Sequence, residues 1–271
     1  ENNLFINGVT GWVYEKEFSL VRAYEFSPDG TQIAFISFDE TEVPEFSMDV
    51  YGQELYQRPY VFKYPKAGEN NSIVALNVYD VATKTRKEID LNRDEEFYIA
   101  RINYSPNGKL AAQVLNRYQN ELDFYYIDQS GNASIAFIEK DAAYVDVTDD
   151  LTFLEDGSFL WTSEKDNWRH IYLHDADGKE NRQITSGDWD VTSYYGYDPK
   201  SKRIYYQSTE DGSINRGIYS ISLKAKGKKK LSSQIGSNSA SFSDNFTYYI
   251  NTYSSVNRPP VYTLNEAKNG K

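Results

Sequence analysis

Hydrophobic and polar positions alternate with a period of two over short runs of this chain. Gln32-Ile33-Ala34-Phe35-Ile36-Ser37-Phe38, Arg203-Ile204-Tyr205-Tyr206-Gln207 and Thr247-Tyr248-Tyr249-Ile250 are alternating or β-rich segments, the pattern of strands with one or both faces buried. Each follows an aromatic residue and a polar turn. That unit recurs as Phe26-Ser27-Pro28-Asp29-Gly30, Tyr104-Ser105-Pro106-Asn107-Gly108, Phe153-Leu154-Glu155-Asp156-Gly157, Tyr197-Asp198-Pro199-Lys200 and Phe242-Ser243-Asp244-Asn245. The leading aromatics lie 78, 49, 44 and 45 residues apart, and a repeat of about 40 to 50 residues marks four-stranded propeller blades. The long first step holds an insertion, Thr41 to Asn71, rich in Pro, Glu, Tyr and Gly. Without it the spacing returns to about one blade, so the insertion is predicted as a loop on one rim.

A second strand type precedes a short return, as in Ile73-Val74-Ala75-Leu76-Asn77-Val78-Tyr79-Asp80, His170-Ile171-Tyr172-Leu173-His174-Asp175 and Gly217-Ile218-Tyr219-Ser220-Ile221. The Asp-x-x-Thr and Asp-x-x-Gly that close the first two read as hairpins. Helical periodicity is confined to a short turn at Val13 to Phe18. The expected fold is all-β: a β-propeller of about four to five four-stranded blades, with no closing strand evident at either end, where self-standing propellers close with about four to eight. Residues 1–271 are thus expected to form a partial propeller domain. Its open edges call for an incompletely closed solenoid or for another copy that covers them.

Composition supports this class and narrows the partners. The chain is 39% hydrophobic and 15% aromatic, with 24 Tyr and 14 Phe, residues that fit a pleated, half-buried surface. A formal net charge of −11 repels phosphate backbones, which excludes nucleic acid and favours a cationic or amine-bearing ligand. The absence of Cys excludes disulfides, thiolate nucleophiles and Cys-ligated zinc. No apolar stretch approaches the roughly 20 residues of a membrane span. Glu1-Asn2-Asn3 carry neither a basic nor an apolar leader segment, so any export signal has been removed or lies outside the chain.

Catalytic constellations are not found. There is no Gly-x-Ser-x-Gly elbow, and the two His residues, His170 and His174, sit four apart on a predicted strand without a third ligand, which points to a structural role. Asp146, Asp149 and Asp150 lack the Gly and distal Glu of a calcium loop and are expected in a solvated turn. Lysines 224, 226, 228, 229 and 230 flank Gly227 and are expected at an exposed hairpin tip. No cofactor, metal ligand or catalytic residue is assigned. The segment Gly11-Trp12-Val13-Tyr14-Glu15-Lys16-Glu17-Phe18 differs in setting carboxylates beside aromatics. Such a site suits an ammonium ion, held by charge-assisted hydrogen bonds that strengthen as water leaves. An exposed acidic turn is the other reading the residues allow.

The run Trp12-Val13-Tyr14-Glu15-Lys16-Glu17-Phe18 is similar to the Asp-Trp-Val-Tyr-Glu-Glu-Glu segment of the dipeptidyl peptidase IV family. Thr41-Glu42-Val43-Pro44 and Tyr64-Pro65-Lys66-Ala67-Gly68 resemble two further blocks of that family in the same order. Trp168-Arg169-His170-Ile171 and Val261-Tyr262-Thr263-Leu264 resemble later ones. The resemblance implies an eight-bladed propeller, of which this chain supplies about the second half, followed by an α/β-hydrolase domain, absent from this chain, that carries a Ser, Asp and His triad. It implies a periplasmic or extracellular serine dipeptidyl peptidase as the parent, homodimeric, acting on peptides with a free N-terminus. In the family the last two glutamates of the run grip the substrate amine, and those positions are Lys16 and Glu17 here. Lys16 places a cation where the family has an anion, which weakens amine recognition electrostatically, while Glu15 is a neighbouring carboxylate able to substitute. A related aminopeptidase specificity or an inactive paralogue therefore stays open beside dipeptide cleavage. The rival reading from another class is a stand-alone binding propeller with a scaffold role. A propeller glycosidase would need two carboxylates facing one cavity.

Overall fold

The computed structural model describes residues 4–271; Glu1, Asn2 and Asn3, read above for a leader signal, lie outside them. The chain divides into two compact units, Glu1–Val147 and Thr148–Lys271. Apart from one short helix, the regular elements of both are antiparallel strands.

The first unit opens with β1 (Phe5–Asn7), helix α1 (Trp12–Glu17), β2 (Tyr24–Phe26) and β3 (Gln32–Asp39), then β4 (Glu45–Val50), β5 (Arg58–Lys63), β6 (Ile73–Asp80) and β7 (Thr85–Ile89). Strands β1 and β2 pair end to end along one edge of β3, and β6 and β7 continue the sheet on the other side. Within the predicted insertion, β4 and β5 form a separate two-stranded hairpin. The expected loop is thus a β-arm, whose aromatics Phe46, Phe62 and Tyr64 pack on one another. A second sheet follows: β8 (Phe97–Tyr104), β9 (Leu110–Asn116), β10 (Glu121–Ile127) and β11 (Ala133–Lys140), each hydrogen-bonded to the next. Every residue of β9 but the last is buried. That continuous apolar run is what a strand covered on both faces requires.

The second unit continues with β12 (Thr152–Phe153), β13 (Phe159–Ser163), β14 (His170–His174), β15 (Glu180–Gln183), β16 (Val191–Asp198), β17 (Arg203–Ser208), β18 (Gly217–Ser222), β19 (Lys229–Lys230), β20 (Ser237–Phe242), β21 (Tyr248–Ser255) and β22 (Arg258–Glu266). They form two four-stranded sheets and one three-stranded sheet, all with sequential neighbours. Leu160, Ile171, Ile204 and Tyr206 lie at the centre of one core, and Tyr205, Ile218 and Tyr249 at the centre of the next. The expectation of an all-β chain built from four-stranded sheets holds, with five strand segments in the first sheet and three in the last.

All five recurrent turns join the first hydrogen-bonded strand pair of a sheet. In each of the first three, the residue three after the turn's first hydrogen-bonded position adopts a left-handed conformation: Gly30 at φ 70°, Gly108 at φ 81° and Gly157 at φ 84°. Phe246 takes the equivalent place at φ 51°, held by its amide on the Ser243 carbonyl, which is why the glycine signal fades there. Asp29 accepts from the Ser27 hydroxyl and from the amide and hydroxyl of Thr31, which pulls its carboxyl down to about 2. The acid of this motif therefore belongs to the turn.

Candidate functional site

Helix α1 is too short to be stable by itself. Gly11 caps it in extended geometry without a side-chain bond, and Ser19 at φ 52° ends it. Tertiary packing supplies the rest. Tyr14 and Phe18, four residues apart and therefore on one face, are 3% and 4% exposed. The Tyr14 ring meets Phe38 at 4.8 Å and Phe18 at 5.3 Å, and Phe18 meets Tyr98 at 5.2 Å. The Tyr14 hydroxyl accepts the Ile99 amide at 3.0 Å, and burial pushes its ionisation far above the ordinary phenol range.

With Tyr14 and Phe18 facing inward, Glu15, Lys16 and Glu17 are all exposed. Lys16 Nζ lies 3.3 Å from Glu15 Oε1, so the cation that departs from the family pattern is turned onto its own neighbour. Glu17 makes no hydrogen bond or ion pair among the described residues and is left as a free carboxylate. The Tyr144 hydroxyl is pushed up by partial burial first and then by the negative charges of Asp146 and Glu17. The Tyr144 segment is fixed by its backbone: Asp141 Oδ1 accepts the amides of Ala143 and Tyr144, and the Val145 amide donates to the Gln119 carbonyl at 2.8 Å. An anionic surface next to an aromatic ring can hold an ammonium through ion pairing and the face of the ring.

Sequence reasoning singled out Glu15, Lys16 and Glu17 but not Tyr144. Nothing in the local pattern marks that tyrosine, because 127 residues separate it from Glu17 and only the fold joins them. Asp146 was expected in a solvated turn and is exposed. Asp150, expected beside it, is different: Oδ2 accepts from Arg169 at 2.6 Å and from the Thr162 hydroxyl at 2.8 Å. The solvated-turn reading is corrected for Asp150, whose charge is neutralised inside the second unit.

Both histidines are used by the architecture. His170 Nδ1 pairs with the Thr185 hydroxyl at 3.1 Å and Nε2 with the Gly187 carbonyl at 3.0 Å, with Trp189 edge-on at 4.8 Å. His174 Nδ1 pairs with the Gly178 carbonyl at 2.8 Å, and its ring stacks on Phe159 at 4.9 Å. In the lysine run, the hairpin tip at residues 223–227 is as expected, but Lys228 and Lys230 are paired with Glu210 and Asp211 at 2.5 and 2.7 Å. Among the described residues no group of three or more His, Asp or Glu side chains is placed to hold a metal ion.

The model of the dipeptidyl peptidase IV N-terminal region matches residues 1–260. The chain belongs to that family. A probable dipeptidyl peptidase 4 of Aspergillus flavus is 30% identical over 97% of this chain and 37% of its own length. A dipeptidyl peptidase 4 of Arthroderma otae is 29% identical over 97% of the chain and 36% of its own length. The crystal structure of Porphyromonas gingivalis dipeptidyl peptidase 4 superposes on 99% of the chain with a TM-score of 0.93 and 43% identity, using 38% of that protein. A putative dipeptidyl aminopeptidase IV from Bacteroides ovatus shares the fold, with a TM-score of 0.82 at 23% identity. The chain thus spans well under half of the dipeptidyl peptidase IV relatives it matches, and its sheets correspond to blades of their N-terminal propeller.

Proposed function

We propose that this dipeptidyl peptidase IV region gates and orients peptide substrates for a serine-type hydrolase domain elsewhere in the parent protein, and is non-catalytic by itself. Glu17, with Glu15 as its neighbour, receives the free N-terminal ammonium of the peptide, and Tyr144 closes one side of that site. Lys16 moderates the grip through its pairing with Glu15. The carrying observation is the exposed Glu17 carboxylate, without a partner among the described residues, on a helix pinned by buried aromatics. Holding one end of a peptide at a fixed point sets the distance to the bond that is cut, so the contribution is positioning rather than acid or base chemistry. The parent is read as a homodimeric exopeptidase of the periplasm or cell exterior.

A peptide α-amine carries its proton below about pH 8. The Michaelis constant should accordingly rise as pH passes that value and, because the carboxylates are exposed, as salt screens them. In the full-length enzyme, Glu17→Gln should raise KM for a Gly-Pro or Ala-Pro chromogenic substrate by about tenfold, worth about 1.4 kcal/mol, with little change in folding stability. An unchanged KM sinks the ammonium site. The 271-residue chain alone should release no product from either substrate.

A further inference from the structure

Helix α1 is a short, uncapped element, yet one direct contact and two relayed ones tie it to the inserted arm. At its first residue, the Trp12 ring meets Tyr64 edge-on at 4.2 Å. Tyr64 is in turn packed against Phe46 of β4 at 5.4 Å and Phe62 of β5 at 6.1 Å, so an aromatic chain runs from both arm strands into the start of the helix. Beneath that start lies the buried carboxylate of Glu40, so close that a Cβ on Gly11 would collide with Oε1. The Glu40 carboxyl is raised by burial, an effect opposed by the charge of Lys63 on β5 and by a hydrogen bond from Ser72, residues at the end of the arm and just beyond it. Lys63 Nζ also donates to the Val43 carbonyl at 2.8 Å, which fastens the outgoing limb to the incoming one. The third tie reaches the far end of the helix. Asn71 Nδ2 and Arg117 Nη1 each donate to the Tyr98 hydroxyl at 2.7 Å, and the Tyr98 ring carries Phe18 at 5.2 Å and Tyr14 at 6.0 Å.

The arm is not needed to complete the first sheet, whose β3 and β6 pair directly over their full lengths. Its Tyr64 ring is nevertheless directed at α1. We infer that the Thr41 to Asn71 arm sets the position of helix α1, with Tyr64 and Glu40 acting as positioning residues for the carboxylate of Glu17. This rests on the ammonium-site reading given above. A six-residue helix without a side-chain cap takes its place from what surrounds it. A shift of about 1 Å in the anchoring carboxylate is enough to misplace a substrate held at one end.

The test uses the full-length peptidase and a Gly-Pro chromogenic substrate, with Tyr64→Ala and Tyr64→Phe each made in the native and the Glu17→Gln background. Tyr64→Ala should raise KM about fivefold with kcat within about twofold, Tyr64→Phe should keep native values because the ring is retained, and Tyr64→Ala should add nothing once Glu17 is gone. A native KM in Tyr64→Ala, or a penalty that adds in full to that of Glu17→Gln, overturns the positioning role while leaving the ammonium site standing. A native KM in Glu17→Gln overturns both. If Tyr64→Ala does not accumulate as folded enzyme, Gly11→Ala serves in its place. It needs no unusual backbone angle and pushes on Glu40 without removing a ring, and it should raise KM in the native background only.

Discussion

Strand β14 and helix α1 both carry ionisable side chains on a short element held by aromatic packing, but they dispose of them in opposite ways. All five residues of β14 are buried, because a blade sheet is covered on both faces and the alternation of a half-exposed strand disappears. His170 and His174 therefore had to find partners inside, and each did, in a backbone carbonyl and an aromatic ring. Helix α1 buries one face only. Its carboxylates are turned away from the core, Glu15 onto Lys16 and Glu17 without a partner among the described residues. The histidines on the regular repeat thus became architecture, whereas the charged groups on the departure from the repeat stayed exposed.

The largest expected break of this comparison lies in the second unit. Trp161 on β13 is buried, and Trp161→Ala should cost about 3–5 kcal/mol by transfer and cavity terms. The nearby Trp168, 37% exposed, should cost less than about 1 kcal/mol when truncated. Urea unfolding midpoints of the two variants measure the difference, and equal shifts would contradict the buried-blade account.

Acid sensitivity comes next. Burial, the largest cause, holds the His174 imidazole below its ordinary range, so the folded chain favours the neutral ring. As pH falls through about 6.5 the unfolded chain takes up its proton first. The His174 contribution is therefore complete above that pH and declines below it until the folded ring also titrates. His174→Phe, which keeps an aromatic ring against Phe159, should narrow the gap between unfolding midpoints measured on either side of that window.

The smallest effect belongs to α1. Lys16 and Glu15 form an exposed pair, of a kind worth about 0–1 kcal/mol, so Lys16→Glu should leave stability nearly unchanged. In the full-length enzyme it should lower KM for free-amine peptides by about two- to threefold at low salt, with the gain shrinking as ionic strength rises. Unchanged kinetics would separate Lys16 from the ammonium site.

Much of this was readable in the residues. The five aromatic-led turns each fall on the first hairpin of a sheet, and the Val13 to Phe18 turn lies within one residue of the observed helix, because both signals are local. The residue pattern marks the arm as an insertion but not as a hairpin, since its strands β4 and β5 are largely exposed and lack a buried face to impose alternation. Asp150 resembled its neighbours in a run of acids. Its distinction lies in Arg169, 19 residues away, which the register of β13 with β14 brings alongside.

Strand period and turn chemistry were thus set by the order of side chains, because each depends on interactions between near neighbours, and the acidic balance by composition alone. Which carboxylate stays free, and that the inserted arm meets the start of its helix, was decided by tertiary packing. Those contacts join residues tens of positions apart, and in the linear chain no force acts between them until the sheets have formed.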